Sequence, residues 1–326
     1  MKRKIKEILG IDKPIIQGPL NWLTDAHYVS AVSNAGGLGV LGLNAGERES
    51  AKNMEERINN MRREIRRVRT MTDKPFGLNV APQSNDPALD KYTEAWLQLM
   101  VEEEVKIVIL VGDLAPYWIG RFKDHGIVVV FRALQPTVDN TKAAIDAGAD
   151  IIVATGFDEG GTVPYQGIGT FSIVPLIVDA AEGRVPVFAA GGIADARTAK
   201  AAFALGADGL YVGTAFMMAI ESPLAHGIKV LAVEANANDL VMYRTVPAFY
   251  RSLPGELPNK LLAMSKAGAT EEELFEAQNT YVGMRDGMLF GDLSKGYASF
   301  GLGISVIHSI RPVAEIIDEL MKGVPA

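Results

Sequence analysis

Short apolar, β-branched runs alternate with longer segments of helical period along most of this chain. Strand-like runs lie at 14–20, 38–43, 75–80, 106–112, 127–134, 150–156, 185–193 and 209–217, each followed by a helical candidate. Most read as continuous apolar stretches without polar alternation, the pattern of parallel strands buried on both faces. Such β/α units at regular spacing predict an α/β fold, a (β/α)8 TIM barrel. A doubly wound open sheet is the rival fold, but it rarely needs so many strands so evenly spaced. Thr24 or Asp25 can cap the first barrel helix, Gly36 and Gly37 stop it, and Gly126, Gly148 and Gly206 end later ones. The runs Ala147-Gly148-Ala149-Asp150 and Leu205-Gly206-Ala207-Asp208 use one helix-stop, strand-start device twice.

After Met217 the pattern changes. The segment to about Ala235 reads as the eighth helix. Residues 236–290 show no strand alternation and are broken at Pro247, Pro254, Gly255, Pro258 and Gly268, which predicts a small helical cap. The expected organisation is therefore a barrel over 1–235, a helical cap over 236–290, and a helical segment over 291–326 that returns to the barrel.

Composition changes this picture little. The 326 residues are 48% hydrophobic and 22% charged, enough for a large core. A net charge of −7, with basic residues clustered only at 62–67, argues against nucleic acid as a partner. The absence of cysteine removes disulfides, thiolate ligands and a cysteine nucleophile. The start Met1-Lys2-Arg3-Lys4 runs on without an apolar core segment, and no apolar run approaches membrane-spanning length, so a cytoplasmic protein with no membrane partner is expected. The oligomeric state is open, a homodimer among the candidates.

Two strand ends carry the first chemistry. Gly191 and Gly192 close the run at 185–193, and Gly213 and Thr214 lie in the next run. Together they would place bare N–H groups, a hydroxyl and a helix start around one point, which suits a phosphate group. The same glycines would also serve tight strand-to-helix turns. In a barrel the active site is built from the loops at the strands' C-terminal ends. Those loops are 17–22, 79–83, 132–135 and 155–162, nearly all uncharged, which fits a flat, partly apolar ligand with a phosphate tail better than a metal. No GxGxxG fingerprint is present, so a nicotinamide would bind only transiently.

Six motifs in order carry a resemblance. They are Pro14-Ile15-Ile16-Gln17-Gly18-Pro19, Asn34-Ala35-Gly36-Gly37-Leu38-Gly39, Lys74-Pro75-Phe76-Gly77-Leu78-Asn79, Gly156-Phe157-Asp158-Glu159-Gly160-Gly161, Ala190-Gly191-Gly192-Ile193-Ala194-Asp195 and Val212-Gly213-Thr214-Ala215-Phe216. Together they resemble the FMN-dependent nitronate monooxygenase and enoyl-acyl-carrier-protein reductase II family, from the N-terminus to about His226 and weakly through Gly291, Asp292 and Gly301. The resemblance implies a barrel that binds FMN without a covalent bond. Gly18, Pro19 and Leu20 would lie against the flavin ring, Asn79 would hydrogen-bond it, and Gly192, Gly213 and Thr214, beside Gly191, would hold its phosphate.

The chain departs from that family where the proton chemistry lies. The family usually has histidine after the double glycine of the sixth loop, and this chain has Thr162, a hydroxyl too weakly acidic or basic to move a proton near neutral pH. Asp158-Glu159 replaces the commoner Glu-Ala, and Leu302 stands where a glutamine is usual. His27, His125 and His308 read as structural or solvated, and His226 sits well past its strand end. Besides Thr162, the proton-transfer candidates are Asp158, Glu159 and Tyr165, although Asp158 and Glu159 could equally be loop caps or surface charges. The expected function is an FMN oxidoreductase that passes hydride from NAD(P)H, a transient co-substrate, to a small organic acceptor of the enoyl thioester or quinone type. Oxidation of alkyl nitronates is the first alternative. A phosphosugar isomerase or synthase barrel without flavin is the alternative of another class.

Overall fold

The computed structural model describes residues 4–325; the basic start at Met1, Lys2 and Arg3 and the last residue, Ala326, lie outside the described residues. Eight parallel strands form the barrel: β1 (Ile15–Gln17), β2 (Gly39–Leu41), β3 (Phe76–Val80), β4 (Ile107–Gly112), β5 (Val128–Ala133), β6 (Ile151–Thr155), β8 (Val187–Ala190) and β9 (Gly209–Val212). Between β6 and β8 the sixth loop contributes a separate strand, β7 (Thr162–Val163). The ladder runs from β1 through β9 around to β2. It closes through a parallel bridge between Ile16 and Leu38, where Gln17 N donates to Leu38 O at 3.0 Å and Leu38 N to Ile15 O at 2.8 Å. All eight expected strands form, each within its predicted stretch.

The apolar runs are continuous because both faces of each strand are buried. Along β4, Ile107 and Ile109 point into the barrel with Val40, Val130 and Phe188, while Val108 and Leu110 point out to the helical layer. Ile8, Leu9 and Ile11 join the inner cluster, so the N-terminal helix (Ile5–Leu9) closes one end of the barrel. The opposite end is left for the loops. Asp25 caps the helix Ala26–Asn34 by accepting from Tyr28 N at 2.8 Å. The repeated Gly-Ala-Asp device has a physical use: Asp150 Oδ2 accepts from Val129 N at 2.9 Å, and Asp208 Oδ2 from Val187 N at 2.8 Å. Each aspartate thus ties the start of its own strand to the start of its neighbour.

The helical reading of 236–290 needs correction. It holds an antiparallel hairpin, β10 (Val241–Arg244) and β11 (Phe249–Ser252), and β11 also pairs with β7, Phe249 opposite Val163 and Tyr250 opposite Thr162. Each strand is only four residues long, β10 partly exposed and β11 mostly buried with Arg251 and Ser252 among its residues, so no clear alternation shows, and Pro247, read as a helix breaker, lies in the hairpin turn. Helices do follow, at Glu256–Lys266 and Glu271–Ala277. In 291–326, the part to Gly301 is irregular, and the helix Val313–Met321 packs against the barrel helices Ala26–Asn34 and Ala196–Ala204. Among the described residues no helix is long and apolar enough to cross a membrane.

A buried lysine braces the turn after β9. Lys229 is 4% exposed, and its Nζ donates to Ala219 O at 2.6 Å and Ser222 O at 2.8 Å. Burial pulls its pKa down, against the opposing pull of Glu221. Lys229→Met keeps the apolar stem but leaves these buried carbonyls unpaired, at a cost of about 3 kcal/mol. A thermal melt should show Tm lowered by roughly 4 °C for a chain of this size; a shift under about 1 °C would mean that the carbonyls find other donors.

Candidate active site

The loops at the C-terminal ends of the strands, together with the cap, enclose a cavity of about 540 Å³. That is within the usual range for small-molecule sites. Gly18, Pro19, Leu20, Asn79, Gly191, Gly192, Gly213 and Thr214 all line it, as do Glu159 and Thr162.

The two glycine ends are built differently. Gly191 (φ +104°) and Gly192 (φ +71°) sit where side chains are disfavoured, and a Cβ at Gly191 would lie 2.7 Å from Thr170 Oγ1. Gly213 has a negative φ, −108°, and a Cβ there would meet nothing within 4 Å. Its missing side chain therefore leaves open space at the cavity wall. Thr214 begins a short helix after it, and its Oγ1 accepts from Gly301 N at 2.9 Å, leaving its own proton to donate. A phosphate monoester fits this cradle of bare backbone and one hydroxyl.

Next to the Gly213 end, since β1 pairs with β9 and Gly18 N donates to Val212 O at 2.8 Å, Gln17 pins the start of the first loop. Its Nε2 donates to Gly18 O and its Oε1 accepts from Val40 N at 2.9 Å. A Cβ at Gly18 would lie 3.0 Å from Tyr211 Cε1, so a side chain there would press on that ring. Asn79 donates through Nδ2 to Ile109 O at 3.1 Å.

The sixth loop divides its polar residues. Asp158 is a correction: its Oδ2 accepts from Thr170 N at 2.6 Å, fixing the start of the helix Thr170–Ala181, and it does not line the cavity. Tyr165 is another, 53% exposed and away from the cavity. Glu159 turns inward and pairs with Arg132 of β5. Burial pushes its carboxyl up to about 7, more than the Arg132 and Arg251 guanidiniums pull it down. Thr162 Oγ1 lies 2.9 Å from Tyr250 OH, and Tyr250 and Tyr281 both line the cavity. Burial raises the pKa of the Tyr250 phenol, so it stays protonated.

The sequence reading missed Tyr250, Tyr281 and Arg251. Tyr250 and Arg251 ride on β11, whose strand character is the signal that went unread. Arg251 Nη1 donates to Glu159 O at 2.7 Å, and its guanidinium lies 4.4 Å from the Phe157 ring centre, so the cap supports the sixth loop directly. Among the described residues no group of three or more His, Asp or Glu side chains could hold a metal ion.

Comparison with known proteins gives the family and the fold. The family model described as nitronate monooxygenase matches residues 2–323. A (3aS,4S,5R,7aS)-5-hydroxy-7a-methyl-1-oxo-octahydro-1H-indene-4-carboxyl-CoA dehydrogenase of Mycobacterium tuberculosis is 32% identical over 82% of this chain and 70% of its own length. A nitronate monooxygenase of Paraburkholderia phytofirmans is 28% identical over 98% of this chain and 94% of its own. Among solved structures, FabK from Thermotoga maritima superposes with a TM-score of 0.83 at 28% identity, covering 99% of this chain and 96% of its own.

Proposed function

Since the chain belongs to the nitronate monooxygenase family and is an oxidoreductase, we propose that it holds one FMN non-covalently and moves a hydride equivalent from NAD(P)H to a small organic acceptor, an activated alkene such as an enoyl thioester. Family membership sets aside a flavin-free phosphosugar isomerase or synthase. Bound FMN would supply the two-electron carrier that no side chain provides. Gly192, Gly213 and Thr214 would hold its phosphate, Asn79 would hydrogen-bond its ring, and Gly18, Pro19 and Leu20 would lie against it.

The observation that carries the choice of acceptor is Thr162 hydrogen-bonded to Tyr250 in place of a basic side chain. Neither hydroxyl removes a carbon-bound proton near neutral pH. An acceptor that gains a hydrogen suits the site better than a neutral nitroalkane that must lose one. The resemblance to a carboxyl-CoA dehydrogenase supports a thioester-bearing substrate. The family match favours a second reading, oxidation of nitronates, which arrive already deprotonated and need no base.

The protein is expected to purify yellow with FMN and not FAD. Anaerobic mixing with NADH, NADPH or propyl-2-nitronate separates the readings by which reagent bleaches the flavin absorbance. Bleaching by the nitronate alone would replace the reductase reading with the second one, and FAD on extraction would overturn the cofactor.

A further inference from the structure

The sixth loop carries a carboxylate for which FMN binding has no use. Glu159 is 9% exposed and lines the cavity; one of its oxygens, Oε2, accepts from Arg132, itself 8% exposed, while Oε1 is buried with no hydrogen-bond partner. A pair that served folding alone would be expected to satisfy both oxygens. The backbone around it is fixed: Glu159 N donates to Gly156 O at 3.1 Å, its carbonyl accepts from Arg251, and a Cβ at Gly160 would lie 2.6 Å from Gly301 N. Three residues on, the position next to the cap hairpin is held by Thr162, which cannot move a proton.

We infer that Glu159 holds and delivers the proton of the reaction, and that Arg132 positions it. This rests on the reading of the site as an alkene reductase. In the net step a hydride equivalent from the reduced nicotinamide ends on the alkene carbon distal to the thioester carbonyl. The Glu159 O–H bond breaks and a C–H bond forms at the adjacent carbon. The alkene gains two electrons, the nicotinamide loses two, and Glu159 is left as a carboxylate beside Arg132 until water reprotonates it. The charged and titratable groups around it are Arg132 on β5, Arg251 and Tyr250 on β11, Tyr211 on β9, and Asp158 beside it, which acts on Arg251. Burial keeps both tyrosines neutral, and it raises Glu159 into the range where the carboxyl can both hold and release a proton.

Two measurements on the full-length protein as purified test this. Glu159→Gln leaves Arg132 buried without a counter-charge, so the Arg132→Gln/Glu159→Gln double variant is studied beside it. The first measurement is thermal stability against pH, which needs no turnover. A carboxyl whose pKa is raised in the folded state contributes stability at low pH that is lost as pH rises through about 7. The wild-type melting temperature should therefore fall relative to that of each variant between about pH 5 and pH 8. A difference that is flat across this range means that Glu159 is always ionised, and overturns the inference. The second is stopped-flow mixing of the pre-reduced protein with crotonyl-CoA. Reoxidation should slow at least about a hundredfold in both variants, while reduction of the flavin by NAD(P)H changes less than about tenfold. Reoxidation within tenfold of wild type overturns the inference. If wild type itself leaves crotonyl-CoA unreduced while the pH signature is present, the proposed acceptor fails and the proton stays assigned to Glu159.

Discussion

Gly213→Val is expected to fold normally and to lose FMN. The position has a negative φ, −108°, and an added Cβ meets nothing within 4 Å, so no close contact opposes the substitution. The space a valine would fill is cavity wall next to Thr214, where the phosphate would approach bare backbone. Excluding it removes charge-assisted hydrogen bonds that contribute about 1.5–3 kcal/mol each. Loss of two weakens binding at least about a hundredfold. Flavin absorbance after desalting reads retention, and circular dichroism reads the fold. Unchanged affinity would place the phosphate elsewhere. Gly191 would be a poorer probe, because its positive φ and its closeness to Thr170 would disturb the fold at the same time.

Thr162→His should create turnover of neutral nitroalkanes. Residue 162 lines the cavity, and its side chain is in hydrogen-bond contact with Tyr250, so an imidazole there would be oriented by the phenol. General-base catalysis contributes about a hundredfold or more, and activity on nitroethane should rise by at least that much over wild type. The imidazole must be neutral to act, so the new activity should rise with pH through about 6.5 and level off above it. Thr162→Ala, by contrast, should slow flavin reduction by NAD(P)H less than about tenfold, under roughly 1.4 kcal/mol of barrier, since hydride transfer needs orientation and no base. If the alanine variant blocks that reduction altogether, Thr162 itself orients the nicotinamide.

The barrel was legible because parallel strands buried on both faces leave unbroken apolar runs. Their ends were over-read: the run 185–193 yields a strand only at Val187–Ala190, since pairing stops where Gly191 and Gly192 turn the chain. The glycine-lined end of the cavity was legible for a related reason, as glycine at a strand end records a need for bare backbone. What the sequence hid was direction. Asp158 and Glu159 are adjacent carboxylates in one loop, and only the fold decides that the first caps a helix while the second faces Arg132. The partner of Thr162 was hidden by distance, since Tyr250 lies far along the chain on a strand of only four residues, with a buried arginine and serine beside it, too short and too polar to announce itself.

Strand β7 is only two residues long, yet it makes the sixth loop and the cap parts of one sheet. Thr162 is opposite Tyr250 by register, and Glu159 is bonded through its carbonyl to Arg251 on the same hairpin. Recombination between relatives at the start of residue 236 would therefore join a foreign hairpin to a resident loop and misalign both contacts at once. The heritable unit of specificity is discontinuous, the sixth loop and the hairpin together. New substrates should be reached by point changes within that pair or by exchanging both pieces, and grafting the cap alone should give folded barrels with impaired turnover.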